Sequence, residues 1–238
     1  MPIHIRAEAG AVAPAAILVG DPLRAARAAA MLDSPTIYNE RRGLLGVTGS
    51  WRGHRLTVQT TGMGGPTAAI VTEELAALGV RTVIRAGTCG AVANRVNVLD
   101  FCIATASVPL CGTTRQYVEN EPFAPVADFA VTRALVDVAA AGDRAVHTGL
   151  FVSEDAFYQQ GDRWERRRAR GVIAVEMEAA AIFTVALARG LAAGCICLAV
   201  DRVGAHETWA GDEAIANGET ALLRMAFDSV LALENMGA

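Results

Sequence analysis

All the cationic chemistry of this chain falls to arginine: its 238 residues contain 21 Lys plus Arg, and every one is Arg. Schiff-base lysines and Walker-type phosphate lysines are thereby excluded, so a phosphate site has to be built from guanidinium groups and backbone amides. Two arginines stand where an anion could be met. Arg24 closes Gly20-Asp21-Pro22-Leu23-Arg24, where an apolar run over 15–19 enters a tight turn and then a helical pattern. Free N–H groups at such a helix start favour an anion, and a guanidinium on the first turn can fork two of its oxygens. The segment also reads as an ordinary strand-to-helix turn with a solvated arginine. Arg85 lies near the end of an apolar strand pattern over 82–86, an unfavourable place for a charge without an anionic partner. Thr88 follows in Gly87-Thr88-Cys89-Gly90, read as a Gly-rich turn that offers a hydroxyl and an amide. A structural carboxylate would satisfy Arg85 equally well. A desolvated Arg–phosphate contact is worth ~1.5–3 kcal/mol against ~0.3–1 for a helix terminus, so the arginines would dominate anion binding.

Three carboxylates could act on a ligand. Glu176 and Glu178 follow Val175 at the start of a predicted helix, where the dipole favours negative charge whatever the function. In a helix, positions two apart diverge by about 200°, so the two could not serve one ligand alike. A carboxylate suits a vicinal diol because its two oxygens receive both hydroxyl donors. Asp201 ends an apolar strand pattern over 194–200 and reads either as a turn cap or as an acid. With a reference pKa of ~3.9, it needs burial or a negative neighbour to keep a proton near neutrality.

The elements that must position these residues alternate between strand and helix patterns, which implies an α/β domain spanning 1–238 without repeat or linker. Strands are predicted at 15–19, 45–51, 55–61, 82–86, 101–107, 146–153 and 194–200; the second and third are patterned as a hairpin, so the sheet is mixed. Helices are predicted at 23–32, 67–78, 128–141, 163–170, 176–189 and 212–234, with Asp21 capping, Pro22 at the first helical position and Gly79 closing the second. At 53% hydrophobic and 19% charged, the chain folds. Its longest uncharged apolar runs of roughly a dozen residues fall short of the ~18–20 needed to cross a bilayer. A net charge of −4 argues against nucleic acid. An odd count of five Cys and no secretory leader fit a reducing cytoplasm, and four scattered His give no metal site.

The ordered set of His4, Gly20-Asp21-Pro22-Leu23-Arg24, Arg42-Gly43, Gly62-Met63-Gly64-Gly65-Pro66, Arg85-Ala86-Gly87-Thr88-Cys89-Gly90, Phe157-Tyr158 and Val175-Glu176-Met177-Glu178-Ala179 resembles the nucleoside phosphorylases, the family that includes purine nucleoside and uridine phosphorylases. That resemblance implies a three-layer α/β/α fold with a mixed central sheet, reversible phosphorolysis of nucleosides, inorganic phosphate as co-substrate and no cofactor. It also implies homodimers, commonly three per hexamer, that share residues across the interface. By the same resemblance Gly20, Arg24, Arg85 and Thr88 bind phosphate, with Arg42 from the adjacent subunit. His4, also from the neighbour, approaches the ribose 5′-hydroxyl. Glu178 accepts from the 2′- and 3′-hydroxyls, Met177 packs on the sugar, Glu176 supports, and Phe157 and Val175 face the base. On the residues alone, His4 and Arg42 read as solvated and Phe157 as packing.

Asp201 matches the aspartate with which purine enzymes of this family protonate N7 of the leaving base, a role worth ~10²- to 10⁴-fold in rate. The surroundings depart from that pattern: Val200 stands where a Ser is common, Arg202 follows, and Ala214 falls near an expected helper Arg. Gly62 to Pro66, Thr105-Ala106-Ser107-Val108 and Val126-Ala127-Asp128-Phe129 are similar to uridine phosphorylases, whose uracil-contacting arginines fall at Arg163 and Arg202. Their uracil-reading Gln falls at Gly161, with Gln160 one place off, and they carry Asn at Asp201. The balance favours a purine nucleoside phosphorylase, with uridine phosphorylase as the alternative and a 5′-methylthioadenosine phosphorylase or a non-catalytic nucleoside-binding protein behind it.

Overall fold

The computed structural model describes residues 2–158, 163–204 and 209–236. Its strands are β1 (Ala15–Val19), β2 (Asp33–Asn39), β3 (Gly46–Trp51), β4 (His54–Thr60), β5 (Thr82–Ala91), β6 (Phe101–Leu110), β7 (Val146–Glu154), β8 (Val172–Glu176) and β9 (Ala192–Arg202). Its helices are α1 (Pro22–Met31), α2 (Gly65–Ala77), α3 (Gly112–Tyr117), α4 (Phe129–Ala140), α5 (Arg163–Ala169), α6 (Ala179–Arg189) and α7 (Asp212–Met236). The strands form one mixed sheet in the order β2-β3-β4-β1-β5-β8-β7-β6-β9, and β9 pairs back onto β5, so the last five strands in that order close into a ring. β1 is parallel to β4 and β5, whereas β3 and β4 form the expected antiparallel hairpin.

Alternation along the strands sends side chains to two cores. Ala16, Leu18, Val83, Cys195, Cys197 and Ala199 face α2 and α6, packing with Val71, Leu75, Ile182 and Phe183. Ala15, Ile17, Val19, Ile84, Ala86, Ile196 and Leu198 face α1, α4 and α7, packing with Ala25, Leu135, Leu222 and Phe227. Burying a side chain such as Phe227 or Leu222 is worth roughly 1.5–3 kcal/mol, which fixes α7 against the sheet. Asp21 caps α1 by accepting from the Leu23 N–H at 2.8 Å, with Pro22 at the first helical position. All five cysteines are buried free thiols. Among the described residues no helix is long and apolar enough to cross a membrane.

Three sequence expectations need correcting. Gly87 to Gly90 is no turn: β5 runs straight through it to Ala91 because β9 pairs along the whole segment and β8 joins on the other side from Gly90. Thr88 is therefore a strand residue opposite Leu198. Glu176 does not begin a helix; it ends β8, and Glu178 stands at the cap position of α6. β2, β8 and α3 have no counterpart among the predicted elements, β2 because it pairs only with β3 and exposes most of its residues.

Candidate active site

Arg85 is the centre around which the site is built. It is 4% exposed on β5, and its Nε donates to Glu176 Oε2 at 2.8 Å while its Nη2 meets Glu178 Oε2 at 2.5 Å. Both carboxylates can reach it because the chain leaves the sheet between them, at the step from β8 to α6. Had both begun a helix, as the sequence suggested, they would have diverged. Glu178 Oε1 accepts from the Gly64 N–H at 2.6 Å, which ties the glycine loop ahead of α2 to the same cation. Gly64 has φ +94, ψ 158, a region open essentially to glycine alone.

Glu176 is fully engaged. Its Oε2 also accepts from the backbone N–H groups of Glu178 at 2.8 Å and Ala179 at 2.9 Å, and its Oε1 pairs with the Ser153 hydroxyl. Ser153 in turn accepts from the Ala180 N–H at 2.9 Å and shares a hydrogen bond with Ser107 at 2.8 Å. Two carboxylates thus face one guanidinium. Burial raises the Glu176 pKa from an ordinary 4.5 to about 7, with Arg85 pulling it down and Glu178 pushing it up. Burial disfavours the Arg85 cation, but Glu178 and Glu176 outweigh that and hold its pKa well above the ordinary value.

Arg24, on the first turn of α1, is also buried, and its Nη1 donates to the Ala86 carbonyl at 3.2 Å, one residue from Arg85. Its Nη2 lies 2.5 Å from Glu219 Oε1 on α7. Gly20 sits close to the glycine loop: a Cβ there would be 3.4 Å from the Gly62 carbonyl oxygen. Thr88 is half-buried three residues beyond Arg85 on the same strand. Met177 is half-buried between the two glutamates.

Asp201 is placed by a bulge. Cys89 pairs with Ala199 but Gly90 pairs with Asp201, so Val200 is the extra residue and the aspartate is re-aimed. A Cβ at Gly90 would come within 2.9 Å of Asp201 Oδ1 and 3.2 Å of Val175 Cγ1, so the absence of a side chain there brings acid and valine together. Burial raises the Asp201 pKa above its ordinary value.

The remaining expected site residues make contacts of their own. His4 Nδ1 is 2.8 Å from Glu74 Oε1 on α2, and Glu74 also accepts from the backbone N–H groups of Ile3, His4 and Ile5. Arg41 donates to the Ile3 carbonyl at 3.4 Å, so His4 and the exposed Arg42, which has φ +56, belong to adjoining segments. Phe157 is 63% exposed and meets Tyr158 edge-on at 5.1 Å between centroids. Arg163 Nη1 stands 3.9 Å from Glu154, and Arg202 Nη2 donates to the Val96 carbonyl at 2.7 Å. Gln160 and Gly161 lie outside the described residues. No group of three His, Cys, Asp or Glu that could hold a metal occurs among the described residues. Sequence reasoning missed Glu219, Glu74 and Ser153; only the two glutamates carried a local signal, as charges inside predicted helices.

A family model described as "Phosphorylase superfamily" matches residues 14–227, a stretch that includes β1, Arg24, Arg85, both glutamates and Asp201. The chain belongs to this superfamily. Within the phosphorylase superfamily it is 39% identical to a purine nucleoside phosphorylase DeoD-type of Geobacillus kaustophilus, over 87% of this chain and 86% of that one. It is 34% identical to a purine nucleoside phosphorylase DeoD-type of Clostridium beijerinckii, over 99% and 100%, and 38% identical to a guanosine phosphorylase of Halorubrum lacusprofundi, over 82% and 80%. Among solved structures, a uridine phosphorylase of Vibrio fischeri superposes with a TM-score of 0.89 over 97% of both chains at 24% identity, which establishes the shared phosphorylase fold.

Proposed function

We propose that the protein is a purine nucleoside phosphorylase, converting a purine (deoxy)ribonucleoside and inorganic phosphate to free base and (deoxy)ribose 1-phosphate. The observation that carries this reading is the buried Arg85, which joins the strand of Thr88 to the carboxylates Glu176 and Glu178. Gly20, Arg24, Arg85 and Thr88 hold phosphate, with Arg42 contributed by a neighbouring subunit. Glu178 accepts from the ribose hydroxyls, Met177 packs on the sugar, and His4 of the neighbour meets the 5′-hydroxyl. The minimal assembly is therefore a homodimer, arranged as three dimers in a hexamer. Five buried free thiols suit a cytoplasmic enzyme.

A phosphate oxygen held beneath the sugar attacks C1′ as the bond to the base breaks, with inversion. The two arginines orient the nucleophile, which then faces the developing sugar cation, so positioning and electrostatics do most of the catalysis. Asp201 gives its proton to N7 of the departing purine, and burial that raises its pKa is the environment such an acid requires. Phe157 and Val175 flank the base. The purine reading is favoured by Asp201, where the resemblance puts Asn in uridine phosphorylases, and by relatives named purine nucleoside phosphorylase DeoD-type at 34–39% identity.

Inosine, adenosine, 5′-methylthioadenosine and uridine, each with and without phosphate, test the proposal by base release. Phosphate-dependent release from a purine nucleoside is expected. Release from uridine alone overturns the purine assignment, and equal rates without phosphate indicate hydrolysis.

A further inference from the structure

Arg24 is held by a carboxylate for which the proposed reaction has no use. Its Nη2 lies 2.5 Å from Glu219 Oε1 and its Nη1 donates to Ala86, while its Nε–H has no hydrogen-bond partner although the residue is 5% exposed. Glu219 is itself 4% exposed, and its other oxygen pairs with Arg27, one turn further along α1. One carboxylate between two arginines leaves a net positive charge. The orphan N–H beside it is the kind of buried donor that an incoming oxyanion satisfies.

We propose that Glu219 is an internal counter-anion that competes with phosphate for Arg24 and thereby sets the affinity of the phosphate subsite. This rests on reading Arg24 as a phosphate ligand. A guanidinium grips an oxyanion best through two parallel N–H groups. Nε supplies one, and the adjoining Nη2 is the group that Glu219 already holds. Phosphate must take Nη2 from Glu219 or share it against like-charge repulsion, and both weaken binding. Arg27 moderates the competition because it keeps a share of the carboxylate charge. A glutamine at 219 keeps an acceptor oxygen for Arg24 and removes the charge, so it should tighten phosphate binding. Loss of a merely structural residue would loosen it or leave it unchanged.

Calorimetric titration of the full chain with inorganic phosphate, without nucleoside and at fixed ionic strength, tests this. Glu219→Gln is expected to lower the phosphate Kd ~10-fold, and Arg27→Gln to raise it about threefold. The Arg27 effect should vanish in the double variant, since it acts through Glu219. An unchanged or raised Kd in Glu219→Gln overturns the proposal, as does an Arg27 effect of equal size in both backgrounds. If Glu219→Gln does not fold, Arg27→Gln decides, and an unchanged Kd overturns it. A wild type that binds phosphate but releases no base defeats the proposed function and leaves the role of Glu219 standing. A wild type that phosphorolyses with a Kd indifferent to Glu219→Gln defeats only this inference, whereas a wild type that binds no phosphate defeats both.

Discussion

Arg85 Nη2 and Glu178 Oε2 lie 2.5 Å apart, which couples the proposed phosphate cation to the proposed ribose acceptor before either substrate arrives. Removing the guanidinium leaves two buried carboxylates unpaired. Breaking a buried pair this way costs ~3–5 kcal/mol. Arg85→Met is therefore expected to lower the melting temperature sharply and to raise the phosphate KM far more than the nucleoside KM. A variant that melts like the wild type would show that the pair contributes little.

Asp201 is expected to matter through its proton alone. Asp201→Asn preserves shape and should slow purine cleavage by at least ~10²-fold in kcat. It should leave the phosphate Kd unchanged, because the acid does not touch the guanidinium cluster. Steady-state rates with inosine, set beside a phosphate titration, check both parts, and an unchanged kcat removes Asp201 from the mechanism.

What the sequence made legible were features with local chemistry. Asp21-Pro22 marks the start of α1, the hairpin of β3 and β4 follows from alternation, and the charge of Arg85 within an apolar strand pattern implied an anionic partner, although β5 runs on past it to Ala91. What stayed hidden depends on distant partners. β8 is five residues long and lies between β5 and β7, so it shows no period of its own, and Glu176 was taken into the following helix. Two glycines suggested a turn at 87–90, but pairing with β9, joined by β8 from Gly90, holds that segment extended. Glu219 meets Arg24 across 195 residues, a contact that no window of sequence contains.

Glu176 makes stability depend on pH. Its folded pKa is raised from 4.5 to about 7, so the native state binds the proton more tightly than the unfolded chain. The stabilisation from that proton is fully present below about pH 4.5 and is lost as pH rises through 7. Glu176→Gln resembles the protonated side chain and does not titrate. Relative to this variant, the wild type should lose melting temperature steadily between pH 4.5 and 7. A difference that stays flat over that interval would mean that Glu176 is ionised throughout.

Gly87 leaves room for the Arg85 side chain. A Cβ at this position would lie 2.7 Å from both Cζ and Nη2 of Arg85. A free arginine tip could swing aside at little cost, but this one is pinned by Glu176 at 2.8 Å and Glu178 at 2.5 Å. Gly87→Ala must therefore displace the guanidinium or bend β5, a strain of typically ~1–3 kcal/mol. The expected result is a phosphate KM at least ~10-fold higher, about the loss of one charge-assisted hydrogen bond, with the nucleoside KM changed much less. Initial rates with phosphate and nucleoside varied separately measure the split, and equal increases in both constants would point to a general distortion of the strand instead.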